Sequence, residues 1–294
     1  MIEAWRQAVE PLGSLAQAKL FLPVLLLALF WCWETWRPFF EQRSERLRHG
    51  FRNVAIALLN TTVLAFTFGA LTAIVADWTE EHGIGLLNLV ALPFSVRMAG
   101  AIILLDGWMY VWHRANHLVP FLWRFHRMHH SDNQMDVTTA TRFHLGEHIG
   151  AVTLRLGLIP LLGLSVWHVV IYEMLVLAIT QFHHANISIG RWDRWLRLLI
   201  VTPYMHKVHH SRWRAETDSN YSTLFSFWDR LGSSFRMRSD LGMIRFGLDE
   251  FDASWQSVWG MLKTPLASAK SLESERKDDE PKASPPQVEL AKKS

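Results

Sequence analysis

Residues 149–180 constrain this chain more than any other stretch. They form a mostly apolar run of 32 residues, interrupted by Pro160, Gly163 and Ser165. On one side lies the cluster His126, His129 and His130, spaced HxxHH; on the other lies His206, His209 and His210, with the same spacing. As a single membrane span the run would put the two clusters on opposite sides of a bilayer. As a helical hairpin bent at IPLLGLS it returns to its starting side, and the clusters can meet. Helix interiors disfavour Pro and Gly, so the hairpin is favoured over one unbroken helix. Its first arm, read as Ile149–Ile159, falls short of the ~20 residues of a full span and is expected to be partly inserted. The alternative leaves the clusters serving separate sites.

A third cluster, His113 and His117 (HxxxH), stands just upstream, making eight clustered histidines among the 15 of the chain. On a helix, positions i, i+3 and i+4 share a face. The adjacent pair of HxxHH diverges by roughly 100° around the axis, so its rings need not serve one metal atom. At this His content two HxxHH matches by chance have odds of roughly one in a thousand. Imidazole suits zinc, copper, iron or nickel. Eight donors are twice the set of a closed structural zinc site, so a centre of two metals is the natural reading. Iron fits better than zinc where redox chemistry is required, because zinc has none. Asp106, Asp136, Glu147, Asp218 and Asp229 are the nearby carboxylates that could bridge metals or fix His tautomers; for each, a salt bridge or helix cap is the plainer role. His184 in QFHHANIS is a candidate ninth ligand. For His144, His148 and His183, ligand and supporting roles both stay open. His49, His82 and His168 read as ordinary core or surface histidines.

Hydrophobic residues make up 50% of the 294, with 15 Trp, as expected of rings settling at membrane interfaces. Cys32, the one cysteine, excludes an intrachain disulfide and a thiolate metal site. The net charge of +3 is small and the arginines are scattered, which argues against nucleic-acid binding. No cleaved signal peptide is expected at the start. Leu20–Trp36 and Val54–Ala76 are spanning candidates, and Met98–Trp112 is a third apolar stretch that runs into His113. The arginine-rich segment between the first two is placed in the cytoplasm by the positive-inside rule, which puts the histidine clusters on the cytoplasmic side as well. Arg191–Ile200 reads either as a helix lying in the membrane interface or as an ordinary amphipathic packing helix. The fold expected is an all-α integral membrane protein: three to four embedded helices plus a hairpin, with a cytosolic helical cap holding a His-rich dimetal site. Residues 1–97 would carry the N-terminal membrane helices, 98–262 the catalytic domain, and 263–294 a disordered polar tail.

The segments LLDGWMYVWHRANH, FHRMHHS, TRFHLGE, QFHHANI and VTPYMHKVHHSRWRAETDSNYSTLFSFWDRLGSSF resemble the fatty acid hydroxylase superfamily, also called the sterol desaturase family, over roughly residues 98–238. The resemblance implies an integral membrane, non-haem di-iron oxygenase that uses O2 and two electrons on C–H bonds of lipids, sterols or carotenoids. It implies that His113, His117, His126, His129, His130, His206, His209 and His210 are iron ligands, joined by His184. It makes Asn186 the Asn of an FxHxN-like segment and Asp106 the acidic residue before the first box. Asp106, Asn186 and Asp218 are accordingly the residues expected to support the centre, with His144 and His183 as further candidate ligands. Two Fe ions are the expected cofactor, with zinc able to replace them in isolated protein. Asn220–Ser222 (NYS), Leu231–Phe235 (LGSSF) and the missing proline of TRFHLGE depart from the family pattern and bear on the substrate more than on the metals.

The expected reaction is hydroxylation of an apolar, lipid-like substrate entering from the bilayer. Desaturation on the same centre is the alternative, and a non-redox zinc hydrolase or metal-binding module is the competing class. No cytochrome b5-like segment is seen, so electrons are expected from a separate ferredoxin, cytochrome or reductase. Arg114, Arg124, Arg127, Lys207, Arg212 and Arg214 flank the boxes; they read as headgroup or electron-donor contacts, or as positive-inside anchors.

Overall fold

The computed structural model describes residues 21–41, 45–251 and 253–267. Most of the expected polar tail, 268–294, lies outside them, as does the N-terminal segment before Phe21. Apolar helix α1 is Phe21–Trp36. Helices α2 (Arg46–Leu64) and α3 (Ala70–Glu81) form one long rod joined by a π-helical turn at Ala65–Gly69. Then come α4 (Phe94–Leu118), α5 (Pro120–His130), α6 (Leu145–Leu162), α7 (Val166–His184), the short α8 (Asp193–Leu196) and α9 (Pro203–His209). Among the described residues four helical units are long and apolar enough to cross a membrane: Arg46–Asn88, Phe94–Leu118, Leu145–Leu162 and Val166–His184. They turn Phe66, Ile74, Ile103, Leu154, Leu161 and Leu175 outward, the arrangement lipid tails accept and water does not. Among the described residues there are only isolated bridges, Pro38 with Ile187 and Ile200 with Phe225, and no strand.

The 149–180 run is the expected hairpin, α6 and α7. The turn differs in detail. Helix α6 starts four residues before Ile149 and runs through Pro160 to Leu162, so its arm is 18 residues long. Pro160 costs only one hydrogen bond so near the end, and Gly163 then terminates the helix at φ 78, a left-handed conformation that glycine adopts without strain. Ser165 opens α7 through a reciprocal cap with His168, which gives that histidine a structural role. The loop after α3 seats on this turn: Asn88 Nδ2 donates to Ile84 O and to Gly163 O. A core of Ala76, Leu105, Ile159, Leu164, Val169 and Tyr172 locks α3, α4, α6 and α7 together at this end.

The histidines gather at the opposite end. There α1 stops, α2 starts, α4 finishes and α7 returns. Phe40 N donates to Asn186 Oδ1 at 3.0 Å, so the arginine-rich segment lies at the histidine end. The 191–200 stretch is not one amphipathic helix. A 3-10 turn at Gly190–Trp192 leads into four residues of α8, whose Asp193 is buried and accepts from Thr202 Oγ1 at 2.6 Å. That buried carboxylate bends the chain toward α9, leaving Trp192, Trp195, Leu198 and Leu199 exposed.

The flanking basic residues are mostly internal braces. Lys207 is fully buried and donates to Ala185 O at 3.1 Å. Arg127 is buried and donates to Thr264 O and Ala267 O, pinning the chain after α9's domain to α5. Arg214 pairs with Asp218 and reaches His117 O, and Arg114 donates to Gly232 O. Arg212 pairs with Asp249, and Arg124 is exposed. Buried Arg127 and Lys207 therefore serve neither a headgroup nor the membrane surface, because exposed backbone carbonyls at helix ends claim their hydrogens first.

Candidate metal centre

The nine histidines fall into two compact groups. His113, His117, His126, His130 and His209 form the first; His129, His184, His206 and His210 form the second. Within each, one nitrogen per ring lies within 4.8 Å of the others. Helical geometry explains the sorting. Residues i and i+4 are about 40° apart around the axis and stay together: His113 with His117, His126 with His130, His206 with His210. Position i+3 is swung about 100° from i+4, so His129 crosses to the second group and His209 to the first. Each HxxHH box thus feeds both groups.

The ring nitrogens facing outward are held by acceptors. His113 Nδ1 donates to Tyr221 O, His209 Nδ1 to Ser219 O and His184 Nδ1 to Thr180 O, each at 2.7 Å. His129 Nδ1 donates to Arg142 O at 3.3 Å. His126 Nδ1 meets Glu147 Oε1 at 2.9 Å, and His117 Nδ1 lies 3.4 Å from Asp218 Oδ1. A carbonyl only accepts, so these rings carry hydrogen on Nδ1 and turn a bare Nε2 lone pair inward. His113 Nε2 and His209 Nε2 then face each other at 3.1 Å, as do His129 Nε2 and His184 Nε2. Neither partner has a hydrogen to share. Two lone pairs at this distance repel unless a cation sits between them.

The spacing fits. Nitrogens at ~2.0–2.1 Å from a metal are separated by about 2.9 Å at right angles and about 3.4 Å at tetrahedral corners. The Nε2 separations run from 2.9 Å for His184–His206 to 3.2 Å for His113–His126. His117 Nε2 and His130 Nε2 are buried without a hydrogen-bond partner. Buried polar atoms left this way cost about 1–3 kcal/mol each, a cost that ligation removes. Outside the spanning helices, burial pushes His129, His130, His206 and His210 well below the ordinary imidazole range, with neighbouring histidines adding to the effect. Burial likewise takes His209 down to about 3. All are held neutral, the form that binds metal.

Apolar walls enclose the groups. Phe143 stacks on His129 at 4.2 Å, Trp123 lies 5.2 Å from His117, and Tyr221 lies 5.1 Å from His117. His113 alone of the nine is not fully buried.

The supporting residues named from sequence take distinct places. Asp218 faces His117 Nδ1 as described, and its carboxyl is pushed upward by burial. Asp106 touches no histidine. It accepts from the amides of Leu224 and Phe225, from Trp228 Nε1 and from Tyr172 OH, which fixes the loop bearing Tyr221. Asn186 brackets Phe40 through both its amide atoms. Asp229 accepts from Tyr221 N and Ser222 N, and Asp136 caps the 3-10 turn at Val137–Thr141. His144 caps α6 and meets Leu262 O. His183 stacks on His206 with ring centres 3.9 Å apart, outside both groups. His148 borders Phe143, 5.6 Å away. Glu147, one of the five carboxylates that the sequence offered for fixing His tautomers, takes that place at His126. His49 proves to be more than an ordinary core residue: it joins Asp132 and Asp136 in a buried network.

Together these features define a helical membrane protein with two buried histidine groups, each able to hold a metal ion. Residues 98–234 match the family model for fatty acid hydroxylase, the superfamily to which the relatives below belong. An ornithine lipid hydroxylase of Rhizobium tropici is 31% identical over 49% of this chain and 43% of its own length. An alkylglycerol monooxygenase of Danio rerio is 29% identical over 48% of this chain and 30% of its own. A cholesterol 25-hydroxylase-like protein of Danio rerio is 31% identical over 46% and 53%. The matched segment thus spans about half or less of each relative. No solved structure matches the chain.

Proposed function

We propose that this protein is a membrane-bound oxygenase that hydroxylates a C–H bond of a lipid-like substrate at two iron ions, one in each histidine group. The facing Nε2 lone pairs of His113–His209 and His129–His184 carry the reading, because a cation in each group would relieve their repulsion. Bound there, iron would supply the reduction of O2 and the oxidation of the C–H bond. The overall balance is R–H, O2, two electrons and two protons giving R–OH and water. A separate ferredoxin, cytochrome or reductase would supply the electrons.

The chain's own part is to hold and to exclude. Backbone carbonyls and the carboxylate of Glu147 fix outward nitrogens, so those rings cannot turn away. Phe143, Trp123 and Tyr221 keep water from the buried rings. The partial exposure of His113 supports access of substrate and O2 on the side of α4. A hydrolase would need a carboxylate poised as general base at an open metal position. Among the described residues Glu147 instead holds the Nδ1 of His126, and Asp218 pairs with Arg214 beside His117, which favours the redox reading over the zinc hydrolase. The arginine-rich segment at the histidine end supports a cytoplasmic centre by the positive-inside rule. The N-terminal helices, the 98–262 unit and the polar tail are read as one catalytic body with two extensions.

The three relatives' names share hydroxylation or monooxygenation of lipids, so an alkyl or sterol lipid is the proposed substrate class. The test is lipid mass spectrometry of cells with and without the protein, joined to metal analysis of purified protein. Iron together with an O2-dependent gain of ~16 mass units supports the proposal, by the arithmetic of oxygen insertion. A loss of ~2 mass units means desaturation instead. Full activity with zinc alone and no need of O2 overturns it.

A further inference from the structure

We infer that Glu34, on a helix upstream of the family-matched region, is a positioning residue for the second histidine group alone. This rests on the reading that each group holds a metal. Glu34 is the one acidic residue in the apolar α1, and it is fully buried. Its carboxylate accepts from Asn186 N at 2.8 Å and from Val137 N at 3.1 Å, both on Oε2. Arg46 NH2 meets Oε1 at 2.8 Å, and its guanidinium stacks on Trp31 at 3.7 Å.

Both amides lie next to ligands of the same group. Asn186 is two residues past His184, where α7 ends and the chain turns extended at Ala185. Because the chain turns extended at Ala185, the Asn186 amide points away from the last carbonyls of α7, and Glu34 supplies its acceptor. Val137 opens the 3-10 turn that leads to Arg142, whose carbonyl holds His129 Nδ1. One carboxylate therefore sets the backbone behind two of the four nitrogens in the second group. The first group draws its supports from Glu147, Asp218, Tyr221 and Ser219 instead. A buried charge that accepts two amides and faces an arginine is a stiff clamp, because breaking any part leaves the rest unpaired.

The experiment is Co(II) titration of full-length, metal-stripped protein in detergent, followed by metal content per chain and by the visible Co(II) bands. Wild type should take up two ions. Glu34→Gln keeps the volume and can leave an oxygen on the two amides, but it then sets an NH2 against the Arg46 guanidinium and removes the charge that holds the clamp closed. It should bind the first ion as wild type does and the second ten- to hundredfold more weakly, the usual loss when a ligand's support is removed. Glu34→Ala should lose the second ion; if it fails to fold, the Gln variant carries the test. Ser165→Ala, at the far end of α7, should bind both ions normally. Two ions at wild-type affinity in Glu34→Gln would overturn the inference, and so would equal weakening of both. Fewer than two ions in wild type would sink the two-metal reading itself.

Discussion

Asp106→Ala and Asp106→Asn separate a structural clamp from a metal role. In the wild type Oδ1 accepts from Leu224 N at 3.1 Å and Tyr172 OH at 3.3 Å; Oδ2 accepts from Phe225 N at 2.9 Å and Trp228 Nε1 at 3.0 Å. Asn can place its NH2 on the Oδ1 side, where the Tyr172 hydroxyl turns to accept and only the Leu224 amide loses its partner. That costs about 1–3 kcal/mol. Ala leaves two amides and an indole N–H unpaired in a buried site, at least about 3 kcal/mol by the same scale. With about 2–4 °C of melting temperature per kcal/mol in a chain of this size, Ala should melt at least ~6 °C below wild type and Asn in between. Thermal unfolding in one fixed detergent, followed by tryptophan fluorescence, measures this. Because the clamped loop leads back to Tyr221, whose carbonyl holds His113, the Ala variant should also bind its first metal more weakly. An Ala variant melting within 2 °C of wild type, or an Asn variant worse than Ala, would refute the clamp reasoning.

Other outcomes follow from the same geometry. His129→Ala and His209→Ala should each abolish hydroxylation while losing metal from different groups, the second for His129 and the first for His209; normal turnover by either would remove it from the ligand set. Gly163→Ala should destabilise the hairpin, since a Cβ there meets Asn88 Nδ2 at 2.7 Å and Ile84 O at 2.8 Å at a positive φ, and unchanged melting would show that the turn relaxes freely. Glu147→Ala should weaken the first metal ten- to hundredfold and spare the second, read by metal titration. In metal-stripped protein, His209 is depressed to about 3 in the fold, against an ordinary value near 6.5 in the unfolded chain. Between these values the unfolded chain binds the extra proton, so stability falls as pH drops below 6.5, by about 1.4 kcal/mol per unit for each such histidine. Denaturant melts at pH 7, 6 and 5 should show the decline; a flat profile would contradict burial of neutral rings.

The sequence by itself determined the helical membrane character, the hairpin and the members of the histidine set. Apolar runs and the i, i+3, i+4 spacing are local properties, and a chain whose two HxxHH boxes must meet has to double back at Pro160–Ser165. The split within each HxxHH box is local, but tertiary structure decided which rings of different helices meet, because that depends on how α4, α5, α7 and α9 face one another. It also decided which acids matter. Asp106, Asp136, Glu147, Asp218 and Asp229 are alike as residues, yet only Glu147 and Asp218 reach histidines of the two groups; Asp136 meets His49 and caps a turn, and Asp106 and Asp229 answer backbone amides that folding leaves without partners. Lys207 and Arg127 were turned inward for the complementary reason, to satisfy carbonyls at chain turns. The 191–200 stretch lost its helix to one buried carboxylate, Asp193, that no periodicity reveals. Pattern in sequence reports which atoms are offered; only the packed chain shows which of them has an unmet hydrogen bond within reach.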